Sequence, residues 1–269
     1  VTAPVRGAST PRTDAIPLGA RSAVVLALAS VVGVLAFCWP LLVDPGASLD
    51  DATVAPLVLG VVLLGVLAAV LVAFGEGGLD VRAVAMLGLL AAVGAVLRPI
   101  SAGSAGIETV FVLLVLGGRV FGAGFGFVLG ATTLLASALL TGGVGPWLPF
   151  QMLAASWVGL GAGLLPPVRR GWRESALLGG YGALAALLFG VAMNMSFWPF
   201  TLGVGSELSY VAGAPVAVNL ARFVAFSAAT SLGWDVGRAV TTVLGIVVVG
   251  PVVLPLLRRA ATRARFTTS

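Results

Sequence analysis

Lysine and histidine are missing from this 269-residue chain, cysteine occurs once, tyrosine twice, and charged residues make up only 9% of it. Each shortage removes a class of chemistry. Without histidine there is no side chain that titrates near neutral pH unaided, and the commonest metal ligand is gone, so no metal centre and no resident cofactor are expected. A single Cys38 inside an apolar run excludes a disulfide framework and reads as a small buried hydrophobe. All fifteen basic residues are arginines, which we read as compositional bias rather than chemistry. Soluble domains are about a quarter charged, and no polar stretch here is long enough to fold alone, so a separate soluble domain is excluded and no nucleic-acid partner is expected.

What the chain has in quantity is apolar: 59% hydrophobic residues and a mean hydropathy of +1.12. That composition predicts an integral membrane protein, all-α, a polytopic helix bundle whose solvent is lipid. Apolar runs bounded by Pro, Gly and charge lie at about Ser22–Val43, Thr53–Phe74, Val81–Leu97, Ile107–Leu116, Phe121–Leu140, Leu148–Leu165, Ser175–Phe197 and Asn219–Leu257. They predict about eight helices. The first run has the length of a span rather than of a signal-peptide core. The fourth is too short to span, so it extends toward Arg119 or sits as a short helix within the bundle. The last is too long for one span, and "TSLGWD" at 230–235 marks a break. The expected organisation is a cytoplasmic tail at 1–21, two N-terminal membrane helices at 22–80, a six-helix core at 81–258 and a basic cytoplasmic tail at 259–269.

Loops rich in arginine stay in the cytoplasm. With both termini inside, Arg6, Arg12, Arg21, Arg82, Arg119, Arg169, Arg170, Arg173, Arg258, Arg259, Arg263 and Arg265 fall on the inner side, 12 of the 15. Asp44, Asp50 and Asp51 fall outside. Arg98, Arg222 and Arg238 are the exceptions, at the outer half.

Glycine spacing bears on packing. Gly122, Gly126 and Gly130 recur every fourth residue, as do Ala155, Gly159 and Gly163, and Gly88/Ala92 and Ala91/Ala95 have the same interval. Such faces let helix backbones approach closely. Enzymatic chemistry is not expected: Glu108 and Asp235 belong to different helices, and no histidine or paired nucleophile accompanies them. The glycine-rich "GFGFVLG" has no following lysine and is no phosphate loop.

Polar and aromatic residues do gather at the outer ends of the later helices: Arg98, Glu108, Trp147, Gln151, Asn194, Trp198, Tyr210, Asn219, Arg222, Trp234, Asp235 and Arg238. Polar groups inside a membrane are costly and face a cavity or a partner. The alternative assigns the aromatics to an interfacial belt, Arg98 and Arg222 to snorkelling anchors, and Asp235 with Arg238, three apart, to a structural ion pair.

The segment "GIETVFVLLVLGGRVFGAGFGFVLGATTLLASALLTGGVGPWLPFQMLAASWVGLGAGLL", preceded by "AAVGAVLRP", resembles the substrate-binding S components of energy-coupling factor (ECF) transporters, vitamin importers of the ABC class. It is nearest the cobalamin-assigned subgroup, with its short helix, glycine-rich helix and "GPW-P-QM" turn in this order. The resemblance spans about Val81 to Leu257; the first two helices are additional. It implies a substrate-binding subunit that captures a vitamin-like micronutrient, cobalamin first, in an outward cavity. Trp147 and Gln151 of the stiff Gly-Pro-Trp turn would form its wall. It also implies dependence on a transmembrane coupling (T) subunit and two ATPase subunits, and no "GxxxxGK[ST]" run is present in this chain. Gly88, Ala91, Ala92 and Ala95 match the family's small-residue contact with the coupling subunit.

Two other classes differ in what they require. An autonomous secondary transporter or channel calls for internal repeats and a mid-membrane carboxylate; no repeat is evident, and Glu108 and Asp235 fall toward the outer side. A ligand-free membrane scaffold needs no outward cavity. The topology has a direct check: single cysteines at Ser48 and Ser206 should react with an impermeant thiol reagent on intact cells, and one at Ser175 should not. Labelling at Ser175 would invert the orientation.

Overall fold

The structure, a computed structural model, describes residues 14–42, 54–75, 80–101, 106–201 and 206–264. Arg6, Arg12, Asp44, Ser48, Asp50, Asp51 and Arg265 lie outside them, as does the Arg263 side chain. Among the described residues the secondary structure is helical throughout: α1 (Ala20–Phe37), a 3-10 turn (Trp39–Leu41), α2 (Val54–Gly75), α3 (Val81–Ser101), α4 (Val110–Phe121), α5 (Ala123–Thr141), α6 (Leu148–Leu164), α7 (Trp172–Thr201), α8 (Val216–Thr230) and α9 (Leu232–Ala264). α1, α3, α5, α7 and α9 are each long and apolar enough to cross a bilayer; the others are shorter apolar helices. This is a polytopic helical bundle.

α1 to α7 alternate in direction, and α8 and α9 both run antiparallel to α7. At one end Arg98 of α3 meets Gln151 of α6, Phe37 of α1 meets Phe150 of α6, and Arg238 of α9 meets Glu108 just before α4. At the other, Phe74 of α2 stacks on Phe127 of α5, and Ala15 donates its amide to the carbonyl of Phe121. There too Glu174, in the first turn of α7, accepts from Arg119 of α4 at 2.9 Å and Arg258 of α9 at 2.6 Å. Arg119 also caps the end of α6 through the carbonyls of Leu165 and Pro166, both at 3.1 Å. Counted with the cytoplasmic loops in the sequence, Arg119 is in fact buried among these groups.

The long last run divides at Ser231, inside the suspected break, which makes nine α-helices among the described residues rather than about eight. α8 does not cross the bundle. Its Phe223 packs on Trp198 and its Ser227 lies beside Asn194, so it accompanies only the last turns of α7. The short fourth run is indeed a short helix. α4 has 12 residues, about 18 Å against a hydrocarbon layer of about 30 Å, and nearly all of them are buried. Gly122, at φ +97°, turns the chain from α4 directly into α5.

α4, α5 and α6 are the centre of the bundle because glycines let their backbones touch. A Cβ on Gly126 would collide with the carbonyl of Gly159, and the reverse holds; one on Gly118 would strike the same carbonyl. Gly130 lies against the Ala155–Ser156 backbone, and Gly163 against Ala123. The two four-residue repeats therefore face each other within the chain. α3 packs on α5 through Gly94, whose Cβ position is filled by Thr133 and Leu113. This divides the four small residues assigned to a partner. Ala91 and Ala95 are buried inside the chain, whereas Gly88 and Ala92 remain exposed.

Gly126→Ala should therefore lower stability by about 1 to 3 kcal/mol, the usual cost of overpacking a tight core. Gly88→Ala, where a Cβ meets nothing within 4 Å inside α3, should not lower it and should raise it by up to about 1 kcal/mol through alanine's better helix propensity. Melting of the two purified variants beside wild type checks this, and equal melting temperatures for both would remove the glycine contact from the fold's foundations.

Candidate functional site

α4 starts well inside the bundle, and the space above its first turn is a cavity of about 530 Å³. Six helices line it: Arg98 and Pro99 from the end of α3; Val110, Phe111 and Leu114 from α4; Leu134, Ser137 and Thr141 from α5; Gln151 and Ala155 from α6; Phe189 and Met193 from α7; Trp234 and Arg238 from α9. Glu108 completes the wall from the segment preceding α4. That segment is held by Gly106, at φ +81°, where any side chain would run into the carbonyl of Trp234. Backbone contact of this kind brings Glu108 to Arg238.

Arg238 is the most constrained group in the site and is nearly buried. Its guanidinium donates to Asp235 Oδ1 at 2.7 Å and Glu108 Oε1 at 3.1 Å, and reaches the carbonyl of Ala186 at 3.4 Å. The rings of Phe111 and Phe189 flank it, with centroids 5.7 and 5.3 Å from Cζ. Two carboxylates and two aromatic faces around one cation keep the charge stable away from water. Opposite, Arg98 donates to Gln151 Oε1 at 3.0 Å. With Arg98 and Arg238 balanced by Glu108 and Asp235, the site is formally neutral but strongly dipolar. Arg238 Nε and Ser137 Oγ are buried without a protein partner, and a buried unsatisfied polar group costs about 1 to 3 kcal/mol.

Of the twelve residues singled out in the sequence, Arg98, Glu108, Gln151, Trp234 and Arg238 line the cavity, and Asp235 orients Arg238 from behind. The other six do not line it. Trp147 is half exposed, its ring folded over Gly145. Asn194 bonds the hydroxyls of Ser227 and Ser231. Trp198 donates to the carbonyl of Leu208 and stacks with Tyr210 and Phe223. Asn219 exchanges two hydrogen bonds with the backbone of Val211, at 2.8 and 3.1 Å. Arg222 holds the carbonyls of Ser206, Glu207 and Ser209. These residues fasten α8 and its preceding loop to α7 beside the cavity. Ser137 and Thr141 were missed, and so were Phe111 and Phe189. The hydroxyls are four apart on α5, an interval shared by many helix-packing residues, so spacing alone gave no signal.

This arrangement suits binding. Apolar walls with a few fixed polar groups, in a volume within the range of about 300 to 1,000 Å³, describe a small-molecule pocket. No group of three or more Cys, Asp or Glu residues that could hold a metal ion occurs among the described residues. No curated protein and no solved structure matches the chain. A family model described as the substrate-specific component of ECF transporters matches residues 82–257, from the first turn of α3 to the last third of α9. The chain therefore belongs to the family of ECF transporter substrate-specific components.

Proposed function

We propose that this chain captures a vitamin-sized, dipolar micronutrient in the Arg98–Arg238 cavity. It faces the cavity outward with both termini in the cytoplasm, and delivers the ligand inward with a coupling subunit and two ATPase subunits. The observation that carries the reading is the cavity itself, whose largely apolar wall carries the Arg98–Gln151 and Arg238–Glu108 pairs. Arg98, Glu108, Gln151 and Trp234 complete the proposed contacts, with Phe111 and Phe189 offering apolar faces to a planar ring. The neutral balance of charge favours a polar or zwitterionic ligand over a strongly anionic one.

Cobalamin, the ligand that the resemblance implies first, is far larger than the molecules that cavities of this class enclose and would stand partly outside. A compact heterocyclic ligand is the better fit to 530 Å³. The two N-terminal helices, α1 and α2, are proposed as an addition to the core, packed on it through Gly33 beside Leu153 and Gly60 beside Pro146. For the coupling subunit we propose the exposed Gly88/Ala92 face of α3, since Ala91 and Ala95 are already engaged internally.

The small molecule that co-purifies with the full chain, identified by mass spectrometry, supplies the ligand for calorimetry. Gln151→Ala should weaken its binding about five-fold, the loss of one hydrogen bond worth about 1 kcal/mol, while Trp147→Ala should leave affinity unchanged. An unaltered Gln151→Ala would remove the ligand from this cavity.

Uptake by cells should require coexpressed coupling and ATPase subunits. Leucine at Gly88 or Ala92 should abolish uptake but spare binding. Uptake by the lone chain in proteoliposomes under an ion gradient would instead mark an autonomous transporter.

A further inference from the structure

At the end opposite the ligand cavity, a second polar cavity of about 450 Å³ opens between the start of α7 and the end of α9. We infer that it binds the phosphate headgroup of an anionic phospholipid. The cations around it outnumber the anions. Arg170, Arg258 and Arg259 line it, and Glu174 is the one carboxylate on its wall. Glu174 is already committed to Arg258 and, from behind, to Arg119. No carboxylate among the described residues pairs with Arg170 or Arg259, and both are exposed. The first turn of α7 adds the positive end of a 30-residue helix beside them, with the Ser175 hydroxyl on the same wall.

Two uncommitted guanidinium groups and a helix N-terminus are recognition elements for phosphate. The rest of the wall selects a lipid over free phosphate. Pro251, Leu254 and Pro255 form its floor, and Val248, Val252 and Leu256, spaced four apart on α9, are more than half exposed. That stripe gives an acyl chain an apolar track leading from the headgroup position. Trp172 is 75% exposed, with the guanidinium of Arg173 5.5 Å from its ring centroid, as befits a helix end at the membrane surface. Basic pockets between helices at the cytoplasmic side are where anionic headgroups bind.

Native mass spectrometry of the full chain released from phosphatidylglycerol/phosphatidylcholine mixtures tests this. Wild type should retain one phosphatidylglycerol in preference to phosphatidylcholine. The double variant Arg170→Gln/Arg259→Gln should bind it about thirty-fold more weakly, two surface arginines each contributing roughly five-fold. Its melting temperature in detergent should be unchanged, because neither arginine holds a carboxylate. Arg173→Gln, which removes a neighbouring charge outside the cavity, should retain the lipid. Equal loss in Arg173→Gln would reduce the effect to general surface charge and overturn the site. So would a double variant that keeps its phosphatidylglycerol. Displacement of the lipid by inorganic phosphate at equal concentration would make this a free-phosphate site, and loss of coupling-subunit copurification in the double variant without any lipid preference would make it a protein contact.

Discussion

Everything in this bundle is arranged around the close approach of α4, α5 and α6. In lipid, helices gain nothing by hiding leucine from water, because the surrounding chains are equally apolar; association depends on packing. Glycines at 118, 126 and 159 let three backbones meet where any side chain would block them, and dispersion contacts accumulate over the shared length. The large aromatics Phe111, Phe121, Phe125, Phe127 and Phe150 then fill the spaces around that axis and are fully buried. α4 can be short because it is enclosed on all sides, and its shortness leaves the room that becomes the cavity above its first turn.

Among the described residues, buried charge falls in two clusters, one at each end, and the two are built differently. Arg119, Glu174 and Arg258 tie α4, α7 and α9 together, with α6 capped by Arg119. Most of the polar capacity of Arg119 and Glu174 is used within the protein, as a structural lock requires. At the opposite end, Arg238 is fixed by Asp235, Glu108 and two phenylalanines, and its Nε–H is buried without a protein partner. Truncating one partner of a buried pair strands the other charge at a cost of about 3 to 5 kcal/mol. The Arg238 side of the cavity wall is thus held in place by the protein's own contacts, an arrangement that reduces the ordering cost of any binding there.

Much of this architecture was readable from residue order. Runs of apolar residues of spanning length, the short run before Arg119 and the interruption near Ser231 all correspond to elements of the structure, because the bilayer demands helices and sets their length. The four-residue glycine repeats in α5 and α6 identified close-packing faces. What they did not reveal was the partner. Gly126 and Gly159 meet each other, and Ala91 and Ala95 turn inward, because the rotation of each helix about its axis depends on all its neighbours together.

By itself, then, the sequence determined the class of protein and the approximate number of helices, since each follows from hydropathy along the chain. Which of those polar groups share a cavity was decided only by tertiary structure. Arg98 and Gln151 are 53 positions apart, Glu108 and Arg238 130; their meeting depends on helix lengths and on the turn at Gly106. Trp147, in the most recognisable motif of the chain, folds over its own glycine, whereas the unremarked Ser137 and Phe189 line the cavity. Local spacing shows which face of a helix a residue occupies; only the packed bundle decides what that face looks onto.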